Sequence, residues 1–182
     1  MKRLFVWAIP VLLFACNNEK KEEPKMEDAS VAVAVKGPTG DEFGDLKYRD
    51  LAKKSFEAMS TGDIDGMTSY YADNAVQIYN SGDSLAGKAA ISEYWKNRWK
   101  TVLDSLTYGN QIWLPVKVNV SQAQGHLVGN WSLVWQSVWA KYKTGKSMFQ
   151  FGHFALHFND ADKIDRIIIY LDRAPINAAS KK

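Results

Sequence analysis

From residue 46 onward apolar positions recur at helical spacing, with Tyr48, Leu51, Ala52, Ser55, Phe56 and Met59 at i, i+3, i+4, i+7, i+8 and i+11. The pattern predicts a helix with one buried face, ended by Gly62 as its C-terminal cap. Asp63 caps a shorter helix through Met67 and Tyr71. Residues 75–79 read as a strand, Asn80-Ser81-Gly82-Asp83 as a turn, and Gly87 precedes a third helix whose stripe is Ile91, Tyr94, Trp95, Trp99 and Val102. Beyond Asp104 the period changes to two. Residues 111–120, 129–143, 146–158 and 164–173 read as strands, separated by turn chemistry such as Lys143-Thr144-Gly145-Lys146. Three helices followed by a curved antiparallel sheet is an α+β fold.

One stretch fits two periods. Trp131, Val134, Trp135, Val138 and Trp139 satisfy helical spacing, while Trp131, Leu133, Trp135, Ser137 and Trp139 share one face of a strand. Its tryptophan and valine content and the following turn favour the strand.

The N-terminus has a different pattern. Met1-Lys2-Arg3 precedes an apolar run over residues 4–15, interrupted only by Pro10, and then Cys16 and a polar stretch. That run is too short for a spanning helix, which needs about 20 apolar residues, and has the form of an export signal. Leu13-Phe14-Ala15-Cys16 resembles the lipobox of bacterial lipoproteins. The resemblance implies cleavage before Cys16, lipidation of that cysteine, and anchoring to a membrane of the bacterial cell envelope, on its periplasmic or its outward-facing side. Residues 16–45, rich in Glu, Lys, Pro and Asp, then read as the lipidated cysteine and a flexible tether, with Ser30-Val31-Ala32-Val33-Ala34-Val35 as part of it. The organisation expected is a signal peptide over 1–15, the tether over 16–45, a single domain over 46–176 and a polar tail over 177–182.

Composition narrows the chemistry. With 23 basic and 20 acidic residues in 182, the formal charge is +3, and two of those cations, Lys2 and Arg3, belong to the signal. No basic block suggests nucleic acid. Cys16 is the single cysteine, so a disulfide framework, a thiolate zinc site and a Cys-x-x-Cys redox pair are excluded. His153 and His157 stand roughly 13 Å apart along a strand and cannot share one ion; either would need Asp165 or Asp172 from another strand. Asp160-x-Asp162 opens like a calcium loop, but Ile164 occupies the next ligand position and the required glycine is missing. No metal and no cofactor is expected.

Four segments carry a family resemblance: Ser60-Thr61-Gly62-Asp63-Ile64-Asp65, Tyr70-Tyr71-Ala72-Asp73-Asn74-Ala75-Val76, Gly87-Lys88-Ala89-Ala90-Ile91-Ser92-Glu93-Tyr94-Trp95 and His157-Phe158-Asn159-Asp160-Ala161-Asp162-Lys163-Ile164. In order and spacing they resemble the NTF2-like superfamily, which includes SnoaL-like polyketide cyclases and ketosteroid isomerase. The resemblance implies a cone of three helices packed into a curved sheet, with a pocket at the wide end. Ketosteroid isomerase uses a carboxylate base with a tyrosine and a protonated aspartic acid as oxyanion donors. Matching the motifs puts Ser55, Tyr79 and Phe154 at those positions, so that isomerisation is not expected.

The same matching places Met59, Tyr71, Tyr79, Trp95, Trp131, Trp135, Trp139, Phe154, Ile167, Ile169 and Leu171 on pocket-facing positions, with Ser55, Gln77, Ser137 and Gln150 as the polar groups. Apolar walls with a few placed hydrogen-bonding groups suit a small, largely apolar or aromatic ligand bound without turnover; the same aromatics could instead pack solid as a core. A catalytic alternative is a SnoaL-like cyclase, isomerase or hydrolase using Asp172 with His153 or Tyr79. Strand alternation turns both Asp172 and His153 away from the pocket face. A further alternative is a protein-interaction module, a homodimer through the outer sheet face carrying His153, His157, Arg166 and Tyr170.

Overall fold

The computed structural model describes residues 40–181; Cys16, the signal segment and most of the tether lie outside the described residues. The elements are β1 (Glu42–Phe43), α1 (Leu46–Thr61), α2 (Ile64–Thr68), β2 (Tyr71–Tyr79), β3 (Ser84–Ala86), α3 (Lys88–Thr101), β4 (Leu103–Val118), β5 (Gly129–Tyr142), β6 (Ser147–Phe158), β7 (Ile164–Tyr170) and α4 (Arg173–Ser180). Among these no helix is long and apolar enough to cross a membrane.

Local chemistry sets the helix ends. The Asp45 side chain accepts from the Lys47 N–H at the start of α1. At its end Gly62 adopts φ 78°, where a side chain would be strained, and its N–H and that of Asp63 close on the carbonyls of Met59 and Ala58. Asp63 caps α2 through the Gly66 N–H at 2.8 Å. This second helix ends at Thr68, so Tyr71 opens β2 instead of continuing it.

The strands form one sheet in the order β1-β4-β5-β6-β7-β2-β3. The pairings from β1 to β7 are antiparallel, as is β2 with β3, but β2 runs parallel to β7. A parallel neighbour needs a long crossover, and here the chain between β2 and β7 is that crossover. Register shifts in β4, between Leu103 and Ser105 and between Gly109 and Ile112, curve the sheet around α1; Asn110 sits in the second at φ 48°.

Further boundaries differ from the sequence expectation, among them the start of β2, at Tyr71 instead of residue 75. β4 starts at Leu103 instead of residue 111, because it keeps pairing with β5 as far as Tyr142. Part of the expected tether, Glu42–Phe43, joins the sheet against Lys117 and Val116. The expected strand over 164–173 and tail over 177–182 give way to β7 ending at Tyr170 and to α4, capped by the Asp172 carboxylate on the Ala174 N–H at 2.8 Å.

The core lies between the helices and the concave face of the sheet. Ala52, Ala75, Ile91, Val134, Leu156 and Ile164 are wholly buried there. Phe56 anchors it, meeting Phe154 edge-on at 5.2 Å, Trp113 at 5.6 Å and Tyr108 at 4.9 Å between ring centroids.

Candidate functional site

The concave face does not pack solid. A cavity of about 140 Å³ remains, walled by α1, α3, the sheet and the underside of α4. Of the residues expected to face it, Ser55, Met59, Tyr71, Gln77, Tyr79, Trp95, Phe154, Ile167, Ile169 and Leu171 line it. The β5 assignment needs correction: Trp131, Trp135, Ser137 and Trp139 point to the opposite, convex face. Val138, Ala140 and Tyr142 are the β5 residues that line the cavity. Trp131 is buried on that convex side under Leu127, Val118 and Ala155, whereas Trp135 and Trp139 are 44% exposed. Gln150 is also displaced from the lining. Its amide is spent on the backbone of Asp172, accepting from the N–H at 2.9 Å and donating to the carbonyl at 3.2 Å.

Sequence reasoning missed Tyr94, Tyr108, Arg98, Arg173 and the α4 residues Ile176, Asn177 and Ser180. Arg98 was detectable, since it follows Tyr94 by four and Trp95 by three and so shares their helix face. So was α4: Asp172 is a cap, and Pro175 falls in the first turn, where its missing N–H costs nothing.

The polar groups are organised as a relay. Trp95 Nε1–H donates to Gln77 Oε1 at 3.0 Å, and Gln77 Nε2 donates to the Tyr79 hydroxyl at 2.6 Å. A buried amide fixed at both ends cannot rotate, so the wall carrying Tyr79 is rigid. Burial first, and Tyr94 beside it second, push the Tyr79 phenol far above its ordinary range. Burial does the same to Tyr71, partly offset by a hydrogen bond with Ser55, and to Tyr108, where Tyr71 adds to the shift. These phenols are neutral hydrogen-bond donors, not bases. Among the described residues the lining contains no carboxylate, imidazole, lysine or thiol. It therefore offers no side chain that takes up a proton near neutrality.

The catalytic candidates are not brought together. Asp172 is occupied as the α4 cap. His153 lies on the convex face between Trp135, at 4.7 Å, and Tyr170, at 5.6 Å, and its Nδ1 donates to the Val134 carbonyl at 3.1 Å. Only Tyr79 of the three reaches the cavity. His157 is also on the convex side, with Nδ1 2.5 Å from Asp165 Oδ1 and Nε2 2.9 Å from the Val128 carbonyl. Among the described residues no three His, Cys, Asp or Glu side chains converge as metal ligands.

The geometry has relatives. Solved structures share the fold at low identity: a proposed polyketide cyclase of Xanthomonas campestris pv. campestris (16% identical, TM-score 0.59, covering 75% of this chain and 98% of that one) and an NTF2-like protein of Burkholderia xenovorans LB400 (16%, 0.57, 77% and 100%). An LEH-like epoxide hydrolase of M. tuberculosis is 10% identical, with a TM-score of 0.55 over 74% of this chain and 90% of that one. Among curated proteins, none matches this sequence. At such identities the likeness carries the fold and not the chemistry. The model of the SnoaL-like domain matches residues 52–167, from the first buried alanine of α1 to the cavity-lining Ile167 of β7, and the chain belongs to that family.

Proposed function

We propose that this chain is a lipid-anchored binding protein of the bacterial cell envelope, held through Cys16, that takes a small, largely apolar or aromatic molecule into its cavity without turning it over. The observation that supports this most is the lining itself: an open, aromatic-walled space whose polar groups are neutral donors and whose charges are guanidinium, with nothing to serve as a base. The cyclase and hydrolase named above are relatives by fold, and their chemistry is not proposed for this cavity. Its size favours a small occupant. An engineered apolar cavity of about 150 Å³ takes up benzene, whereas drug-sized ligands fill about 300–1,000 Å³.

Single-ring compounds should therefore raise the melting temperature of the wild-type protein. At a concentration of about 100 times Kd the stabilisation is about 2.7 kcal/mol, a shift of roughly 5–10 °C for a domain of this size. Ala140→Phe, which fills the space from the β5 wall, should abolish the shift. Its own melting temperature measures the overpacking, roughly 1–3 kcal/mol. Absence of any shift in the wild type, or an equal shift in the filled variant, defeats the reading.

A second reading rests on a separate observation. Phe149 and Phe151 are 48% and 71% exposed beside Trp135 and Trp139 on the convex face. Trp139 and Phe149 stack at 4.6 Å. An apolar aromatic surface of this kind suits a second copy of the chain, and the homodimer is proposed together with the ligand site.

A further inference from the structure

The cavity's two charged side chains are not equivalent. Arg173 is neutralised: its guanidinium pairs with Asp83, takes the Ser81 hydroxyl at 2.9 Å and lies 5.6 Å from the Tyr79 ring. Arg98 is half-buried on α3 and lines the same space. Among the described residues it has no ion pair and its side chain makes no hydrogen bond, resting instead against the rings of Tyr94, at 5.7 Å, and Trp95, at 6.0 Å. Tyr79 of β2 and Tyr142 of β5 line the same cavity. Arg173 apart, the polar groups of the lining are uncharged, and no anion on it balances Arg98.

A guanidinium whose N–H donors have no protein partner among the described residues, lining an aromatic-walled cavity, is a planar fork for an oxyanion. We infer that the ligand of this cavity is a monocarboxylate of about one ring, with its apolar body against the aromatic walls and its carboxylate on Arg98. The charge count selects the head group. One uncompensated cation matches a carboxylate, whereas a phosphate monoester carries about −1.5 to −2 and would leave charge unmatched. The inference rests on the cavity being a ligand site, as proposed above.

The test uses the full chain and three probes of similar shape: benzoate, neutral benzamide and phenyl phosphate, titrated by calorimetry. Benzoate should bind at least about tenfold more tightly than benzamide, the value of one charge-assisted pair. In Arg98→Gln that ratio should fall to about threefold or less, and Arg98→Lys, which keeps the charge but loses the fork, should restore part of it. Equal binding of benzoate and benzamide to the wild type overturns the carboxylate and leaves the cavity reading standing. Failure of all three probes overturns both. Phenyl phosphate binding tenfold more tightly than benzoate overturns the monoanion. If Arg98→Gln does not fold, as judged by its melting curve, the wild-type ratios and their weakening between low and high salt decide the matter.

Discussion

The two faces of β5 share one backbone and have opposite fates. Its concave residues include Val134, Gln136, Val138, Ala140 and Tyr142, these five at most 4% exposed; its convex ones include Trp135 and Trp139, each 44% exposed. All three tryptophans of the strand face outward and, Tyr142 apart, smaller residues face inward. A core normally gathers the largest apolar groups, so this inversion needs a reason, and the cavity supplies it. Had the three tryptophans of β5 faced the helices, their indoles would have filled the space that Val138 and Ala140 leave open. The concave face thus leaves space that its own side chains do not fill, as the proposed ligand site requires. The convex face carries surplus apolar area that a partner can cover, and the same residues that empty the pocket build the patch.

Adjacent substitutions test this division most sharply. Val134→Asp puts a carboxylate at a wholly buried concave position beside Phe154, its partner on β6. It should cost roughly 3–5 kcal/mol, the scale of an uncompensated buried charge, and leave little folded protein. Trp135→Asp, one residue on, should cost about 0.5–1.5 kcal/mol through the lost stacking on His153. It should also shift sedimentation toward monomer if the convex face pairs two copies. Urea unfolding of both variants reads the first contrast and equilibrium sedimentation the second. Similar losses of stability in the two variants would mean that both faces are core, and an unchanged sedimentation profile would remove the dimer.

The same strand shows what was legible in the sequence. The period of two in β5 was readable, and so were α1, the Gly62 cap and the ranges of β5 and β6 to within a residue. Which parity faced inward was not. Alternation assigns faces when one side is polar. Here Trp131, Leu133, Trp135 and Trp139 alternate with Val134, Val138, Ala140 and Tyr142, and both sets are apolar. Elsewhere parity was resolved by long-range pairing: Gln77 and Tyr79 face inward with Ile167 and Ile169, beside which they lie in the parallel β2–β7 pair. Arg98 was legible as a neighbour of Tyr94 and Trp95 on one face of α3, but not as an available charge. A charged residue on an apolar helix face reads as a solvated edge, and only the absence of a nearby carboxylate, a property of the folded chain, marks it as available.

The smallest effect probes the convex face through proton binding. Burial lowers the His153 pKa from its ordinary value of about 6.5, opposed in part by the hydrogen bond to the Val134 carbonyl. The native state therefore resists a proton that the unfolded chain accepts. Stability should fall as pH drops through about 6.5 and level off below the native pKa, where both states are protonated. The informative quantity is the difference between wild type and His153→Phe, which cancels every other titrating group. The variant keeps an aromatic ring between Trp135 and Tyr170 and should show a shallower fall in stability between neutral and mildly acidic pH, measured by melting temperature against pH. If two copies pair across this face, His153 is buried further and that difference should grow with protein concentration. A slope identical in the two proteins would mean that solvent reaches His153 freely, and that the aromatic surface around it is open instead of covered.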